Sequence, residues 1–262
     1  MENKLIYEIR RIAGAFIFYS RIPLTSSWFS AKTSHCSRYF SLVGWLVGGV
    51  SVGIWLLAQM MFSDSSGTFS EVNLPIAILL GMIAAVLLTG ALHEDGFADT
   101  CDGFGGGWSP EERLRIMKDS RIGTYGALGL VFLLLLKFFV LLQIETAILP
   151  WVWVAGNTLS RFVSISQLQI LAYIQDAAKS KSGPMTEFSG VDLIVNAVFG
   201  LLPLFFIGNQ VWVALPAVVI VWWFLLMYFK RKLGGVTGDC LGATQQLSEV
   251  VFYLCLASNF AI

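Results

Sequence analysis

Between His93 and Gly103 the chain reads HEDGFADTCDG, which gathers Glu94, Asp95, Asp99 and Asp102 within nine residues. On a helix, Asp95, Asp99 and Asp102 stand at i, i+4 and i+7 and share one face. Like charges about 6 Å apart repel by roughly 3 kcal/mol per pair at an effective dielectric of about 20. Such a face needs a compensating cation. Hard carboxylate oxygens suit Mg²⁺, Mn²⁺ or Ca²⁺ rather than zinc or copper, and Mg²⁺ held by a few carboxylates usually holds substrate phosphates as well. The plain alternative is a solvated acidic helix end. An EF-hand is excluded, because the acids miss the required loop positions and no closing Glu follows.

The next residues extend this chemistry. GFGGG, Gly103–Gly107, allows a ligand to approach the backbone closely, or forms a simple turn. SPEERLRIMK then starts a helix, with Ser109 as N-cap, Pro110 in the first position and Glu112 closing a capping box. MKDSRIGTYG follows and brings Lys118, Asp119 and Arg121. Acids for a metal and cations for phosphate oxygens are the parts that phosphoryl transfer uses. An interfacial helix whose basic residues touch anionic lipid is the competing account.

Individual roles stay open at this level. His93 is a base for an attacking hydroxyl, a partner of a metal ligand, or an interfacial hydrogen-bonded histidine. Asp119 is a fourth ligand or the base, and Lys118 and Arg121 bind phosphate. Asp239, in GGVTGD, orients a substrate or metal, or caps a helix. Arg161 reaches a phosphate inside the protein, or pairs with a carboxylate. Lys137, in mid-span, needs a buried partner. His35 has no acidic neighbour and receives no role.

The elements that must position these residues are membrane helices. The chain has 262 residues, 56% hydrophobic and only 13% charged, with a mean hydropathy of +0.72. A soluble domain carries about 25% charge. The net charge is zero, which gives no footprint for nucleic acid. Cys36, Cys101, Cys240 and Cys255 form no CxxC pair, so neither a disulfide framework nor a zinc site is expected. The N-terminus has no small-residue cleavage site of the signal-peptide kind.

A span needs about 20 apolar residues. Seven runs qualify: 39–62, 72–92, 122–144, 147–173, 191–207, 211–229 and 247–262. IAGAFIFYSRIPL is too short to span and is expected at the interface or as a re-entrant segment. Fifteen of 17 Lys and Arg residues fall in alternate connections, and the other two, Lys137 and Arg161, lie inside spans. The positive-inside rule then puts His93–Arg121, Lys179–Gly190 and Lys230–Gln246 in the cytoplasm. The expected fold is all-α: one polytopic helical domain over 1–262, with about seven transmembrane helices.

HEDGFADTCDGFGGG followed by IMKDSRIGTYG resembles the signature of the cobalamin synthase family, the adenosylcobinamide-GDP ribazoletransferases. The resemblance extends to SRIPL, SRYFSLVGWLVG and LGGVTGDCLGATQQLSEVVF in matching order. Glu94 departs from it, standing where many members carry an apolar residue. The resemblance implies a Mg²⁺-dependent, multi-pass enzyme of the bacterial inner membrane. A ribose hydroxyl of α-ribazole, or of its 5′-phosphate, attacks the phosphorus that carries the cobinamide arm of adenosylcobinamide-GDP. GMP leaves, and adenosylcobalamin or its 5′-phosphate forms. The implied metal ligands are Asp95, Asp99 and Asp102, and a homo-oligomer is compatible with the sequence. CDP-alcohol phosphotransferases perform the same type of exchange, and a diphosphate-binding prenyltransferase or a transporter are the alternatives. The acids sit in a connection rather than at the midplane, which disfavours a transporter.

Overall fold

The computed structural model describes residues 4–23, 36–63, 73–174 and 188–258. His35, Lys179 and Lys181, among the residues weighed above, lie outside these. Among the described residues ten α-helices follow one another: α1 Lys4–Tyr19, α2 Phe40–Met61, α3 Leu74–Thr89, α4 Leu92–Gly106, α5 Pro110–Met117, α6 Thr124–Leu141, α7 Leu149–Ser166, α8 Gly190–Leu201, α9 Val211–Leu233 and α10 Gly238–Ala257. Among the described residues the only β pairing is an isolated bridge between Tyr173 and Val236. Cys101, Cys240 and Cys255 are free thiols.

A helix stands at each of the seven expected runs, but the expectation of seven long apolar spans needs correction. By length and composition, Cys36–Met61, Thr124–Leu141 and Val211–Leu233 can each cross a membrane. A fourth exists only if α3 and α4, bent by 85°, count together. The reason is burial. A helix enclosed by its neighbours need not be apolar all round. Most of α7 is buried, including Asn157, Thr158, Ser160 and Arg161, and α10 buries Gln245, Gln246 and Glu249. α8 is short and passes into a 3₁₀ turn, Leu202–Phe206, that carries Pro203.

The outer helices show the opposite pattern. Leu87, Phe132 and Phe224 are each more than 60% exposed, an apolar surface that a water-soluble monomer rarely carries. The chain is a membrane protein. α1 is amphipathic: Leu5, Ile6 and Ile9 are exposed, while Arg11, Ala15 and Tyr19 are buried. That suits an interfacial helix. Buried Arg11 bonds Asp192 at 3.0 Å and Glu8 at 3.2 Å. Arg38 joins both acids, which ties α1 to the start of α2 and to α8.

Candidate active site

The acidic helix does not continue the second span. Gly90 and Ala91 both take left-handed backbone angles, φ 66° and 59°, and α4 leaves α3 at 85°. Ala91 is the sole non-glycine with positive φ among the described residues. That conformation costs roughly 1–2 kcal/mol, and it re-aims the acids away from the axis of α3. A Cβ at Gly90 would overlap the guanidinium of Arg21, so the same turn seats an exposed cation beside the acidic helix.

α4 packs on the start of α10. A Cβ built on Gly96 would lie 3.0 Å from Asp239 Cα and 3.2 Å from its carbonyl oxygen. One built on Gly242 would lie 3.2 Å from the His93 carbonyl oxygen. The pairing of small residues brings Asp239 to the acids of α4. Asp99 is pushed up to about 7 by burial first, then by Asp239, Asp95 and Asp102. Asp239 is pushed up to about 6 by burial and then Asp95, offset in part by a hydrogen bond from Thr237. Thr237, not Asp239, caps α10 by accepting from the Cys240 N–H at 3.2 Å. Asp95 is exposed, and Asp99 and Asp239 are half-buried. Three mutually repelling carboxylates, left partly accessible, form a place where a cation or a proton is strongly favoured.

Among the described residues, no three His, Cys, Asp or Glu side chains converge closely enough to form a closed metal cage. The donor set still fits Mg²⁺, which keeps several waters and binds through one or two carboxylates plus substrate phosphates.

Asp102 is the first residue whose expected role needs correction. Both its oxygens are engaged, accepting from Gly123 N at 2.6 Å and Gly126 N at 2.8 Å. These are amides at the N-terminus of α6, which has no side-chain cap of its own. A carboxylate there satisfies orphan N–H groups and complements the helix dipole. Asp102 therefore anchors α6 to α4. Asp119 is drawn instead to Arg121, at 2.7 Å, which holds its carboxyl down at about 2. Such an acid is a poor base, and the pair is exposed. Lys118, at the end of α5, is exposed as well.

GFGGG is neither a loop nor a phosphate cradle. Its first four residues complete α4, and a Cβ at Gly103 would meet Met117 at 2.5 Å. Ser109 does cap α5, accepting from Glu112 N at 3.1 Å. The Glu112 carboxylate closes onto Trp108 N, one residue earlier than a standard capping box. Arg113 is buried and donates to the carbonyls of Lys232 and Trp108, so it is no lipid contact.

Beneath the acids lies a buried polar layer. Lys137 Nζ meets Glu249 at 2.7 Å, the buried partner that its position required. Glu249 also accepts from Tyr253 at 2.9 Å and Gln245 at 2.9 Å. Arg161 bonds Asn157 at 2.9 Å and lies over the Phe40 ring at 5.7 Å. Glu94 accepts from Gln246 at 2.9 Å. Sequence reasoning left Glu94, Gln245 and Gln246 without a role. The available signal was an imbalance, since two lone cations in apolar helices require buried acids or amides somewhere. His93, 4% exposed, stacks on Phe40 with ring centroids 5.6 Å apart. Burial, then Arg161 and Lys137, hold its imidazole well below its usual pKa. That disfavours the charged form a general base must reach.

The chain matches the family described as cobalamin-5-phosphate synthase over residues 11–257. It is 40% identical to an adenosylcobinamide-GDP ribazoletransferase of Vibrio cholerae over 258 residues, covering 96% of this chain and 95% of the relative. A Shewanella frigidimarina protein of the same name is 41% identical, with 97% of each chain covered. One from Shewanella baltica is 39% identical, covering 95% of this chain and 94% of the relative. No solved structure matches the chain. The matched length takes in α4, the start of α10 and the polar layer beneath them, and the chain belongs to the cobalamin-5-phosphate synthase family.

Proposed function

We propose that the chain is an adenosylcobinamide-GDP ribazoletransferase, one catalytic domain in the bacterial inner membrane with its acids facing the cytoplasm. It transfers the adenosylcobinamide-phosphate group to α-ribazole or its 5′-phosphate and releases GMP. The observation that carries this reading is the meeting of HEDGFADTCDG with GGVTGDCLGATQQLSE, where Gly96 admits the Asp239 backbone at 3.0 Å. Family membership favours this reading over the transporter and prenyltransferase alternatives.

Asp95 and Asp99 would hold Mg²⁺, or Mn²⁺, together with the donor diphosphate. When bound, that ion neutralises charge on the diphosphate. Arg21, Lys118 and Arg121 supply cations for the remaining phosphate oxygens, and salt screens such exposed sites. The ribose hydroxyl forms a new O–P bond with the phosphorus that carries the cobinamide arm. The P–O bond to GMP breaks, and GMP keeps the electron pair. The hydroxyl proton passes to the Asp239 carboxylate, which lines a cavity beside the acids. Most of the catalysis is then positioning and charge neutralisation. Arg161 is buried under Phe40 and supports the polar layer without touching phosphate.

The test is release of GMP by the purified full-length protein in detergent. GMP should appear only when adenosylcobinamide-GDP and α-ribazole are both present, with a cobalamin product in equal amount. Release of GMP without the acceptor, or none with both substrates and Mg²⁺, would overturn the assignment.

A further inference from the structure

A recessed cavity lies between α1, α2, α4, α7 and α10, next to Asp239. The space open to the centre of a water-sized sphere is about 100 Å³, whereas a single water needs only about 10–15 Å³ by that measure. Four rings line it in series. Phe18 meets Tyr19 edge-on at 4.8 Å, Tyr19 meets Phe40 at 4.3 Å, and Phe40 stacks on His93 at an angle of 12°. Gly238 and Gly242 of α10 also line it, and Asp239 lines one part. His93 is 4% exposed, and its Nε2 has no hydrogen-bond partner. A buried polar atom left in this way costs free energy unless a ligand satisfies it.

We infer that this cavity seats the heteroaromatic base of the acceptor, the dimethylbenzimidazole of α-ribazole, with the ribose directed toward Asp239. The inference rests on the proposed reaction and adds where its second substrate binds. Size excludes the corrin ring. Chemistry separates the two bases that remain. Guanine carries two donor groups and three acceptors on its edges, and burying them among mostly apolar residues leaves several unpaired. A ribosylated dimethylbenzimidazole offers two methyl groups and one free ring nitrogen. Its single free ring nitrogen leaves little polar surface to satisfy. The ring faces match the aromatic walls, which favour offset-stacked or edge-to-face neighbours. Asp239 then stands beside the acceptor and the acids of α4 at once, as the transfer requires.

Leu92→Trp and Phe18→Ala test this on the full-length protein in detergent. Leu92 lines the cavity and is 43% exposed, so a larger side chain fills the cavity from its rim without entering the core. Phe18→Ala removes one wall. Equilibrium dialysis measures α-ribazole binding without turnover, and GMP release gives KM for each substrate. Both variants should weaken α-ribazole binding by roughly tenfold or more, the scale of one lost base–aromatic stack. The KM for adenosylcobinamide-GDP should stay within about twofold, which also shows that the variants are folded. Unchanged α-ribazole binding in both variants overturns the inference, as does a loss that falls on adenosylcobinamide-GDP instead. If the unvaried protein binds α-ribazole and the variants do not, yet no GMP is released, the reaction fails while the cavity assignment stands. If GMP is released normally and both variants bind α-ribazole like the unvaried protein, the cavity assignment fails and the reaction stands.

Discussion

Replacing Gly96 with alanine tests whether the approach of α4 to α10 sets the reaction geometry. The added methyl would sit 3.0 Å from Asp239 Cα and 3.2 Å from its carbonyl oxygen. Ordinary contact begins at 3.4 Å, so the two helices must part by a few tenths of an ångström. Both opposing atoms are backbone, and no side chain can swing aside. The packing cost is about 1–3 kcal/mol. The functional cost is of similar size: a misplacement of about 1 Å can lower a rate by about 10²-fold, and a few tenths of an ångström by about tenfold. Gly106→Ala is the control on the same helix. Its methyl meets only Ile116 Cδ1 at 3.4 Å, and alanine improves helix propensity by about 1 kcal/mol. GMP release at saturating substrates should fall by about tenfold in Gly96→Ala and persist in Gly106→Ala, with circular dichroism and gel filtration unchanged in both. Wild-type turnover in a folded Gly96→Ala variant would refute the view that Asp239 acts jointly with the acids of α4.

Asp95→Ala and Asp99→Ala should each lower turnover by at least about 10³-fold, about 4 kcal/mol of barrier. Exhaustive EDTA treatment should abolish activity until Mg²⁺ or Mn²⁺ is restored, and full activity in protein shown to be metal-free would sink the metal assignment. Asp102→Ala strands the amides of Gly123 and Gly126, so its thermal unfolding should show a loss of about 1–3 kcal/mol while the Mg²⁺ activation curve stays in place. A shifted Mg²⁺ curve with unchanged stability would return Asp102 to the metal. Lys118→Ala and Arg121→Ala should raise KM for adenosylcobinamide-GDP more than they lower kcat, and the reverse split would place them at the transferred phosphorus. Lys137→Met leaves Glu249 buried and unpaired and should cost about 3–5 kcal/mol, whereas adding Glu249→Gln should recover much of that. A double variant no better than the single would show that the pair does not act as one unit.

Local pattern carried the sequence reading a certain distance. Asp95 and Asp99 share a face because helical periodicity makes them do so, and α4 is a helix. The cap at Ser109 is equally local, since its partner lies three residues away. Asp102 has partners that the local pattern does not show, for the opposite reason. Its partners are the amides of Gly123 and Gly126, on a helix whose approach depends on the α5 turn between them. GFGGG read as a loop because glycine is a poor helix former. In the folded protein, Met117 packs where a Gly103 side chain would stand, so small size outweighs propensity. Length and composition mark only three or four spans among the described residues because of the same distinction. Mean hydropathy identifies helices that face lipid, and α7 and α10 face mainly protein. The aromatic cavity draws on five helices, so no window along the chain contains it.

The charges that make α7 and α10 poor apolar spans hold the catalytic surface in register. Glu94 and Glu249 balance Arg161 and Lys137, so the buried layer has no net charge when all four are ionised. Lys137 fixes α6 to α10 through Glu249. Asn157 is shared between Arg161 and Glu249, which fixes α7 to α10. Glu94 bonds Gln246, which fixes α4 to α10. Each link converges on α10, whose first turn presents Asp239. A hydrophobic interface resists sliding weakly, because apolar contacts are non-directional. A buried ion pair gains little stability over an apolar replacement, but removing one partner is strongly penalised, as is any shift that separates them. Register is what this site demands, since Asp239 on one helix must meet Asp95 and Asp99 on another. Glu94 adds a further such link directly to the acidic helix.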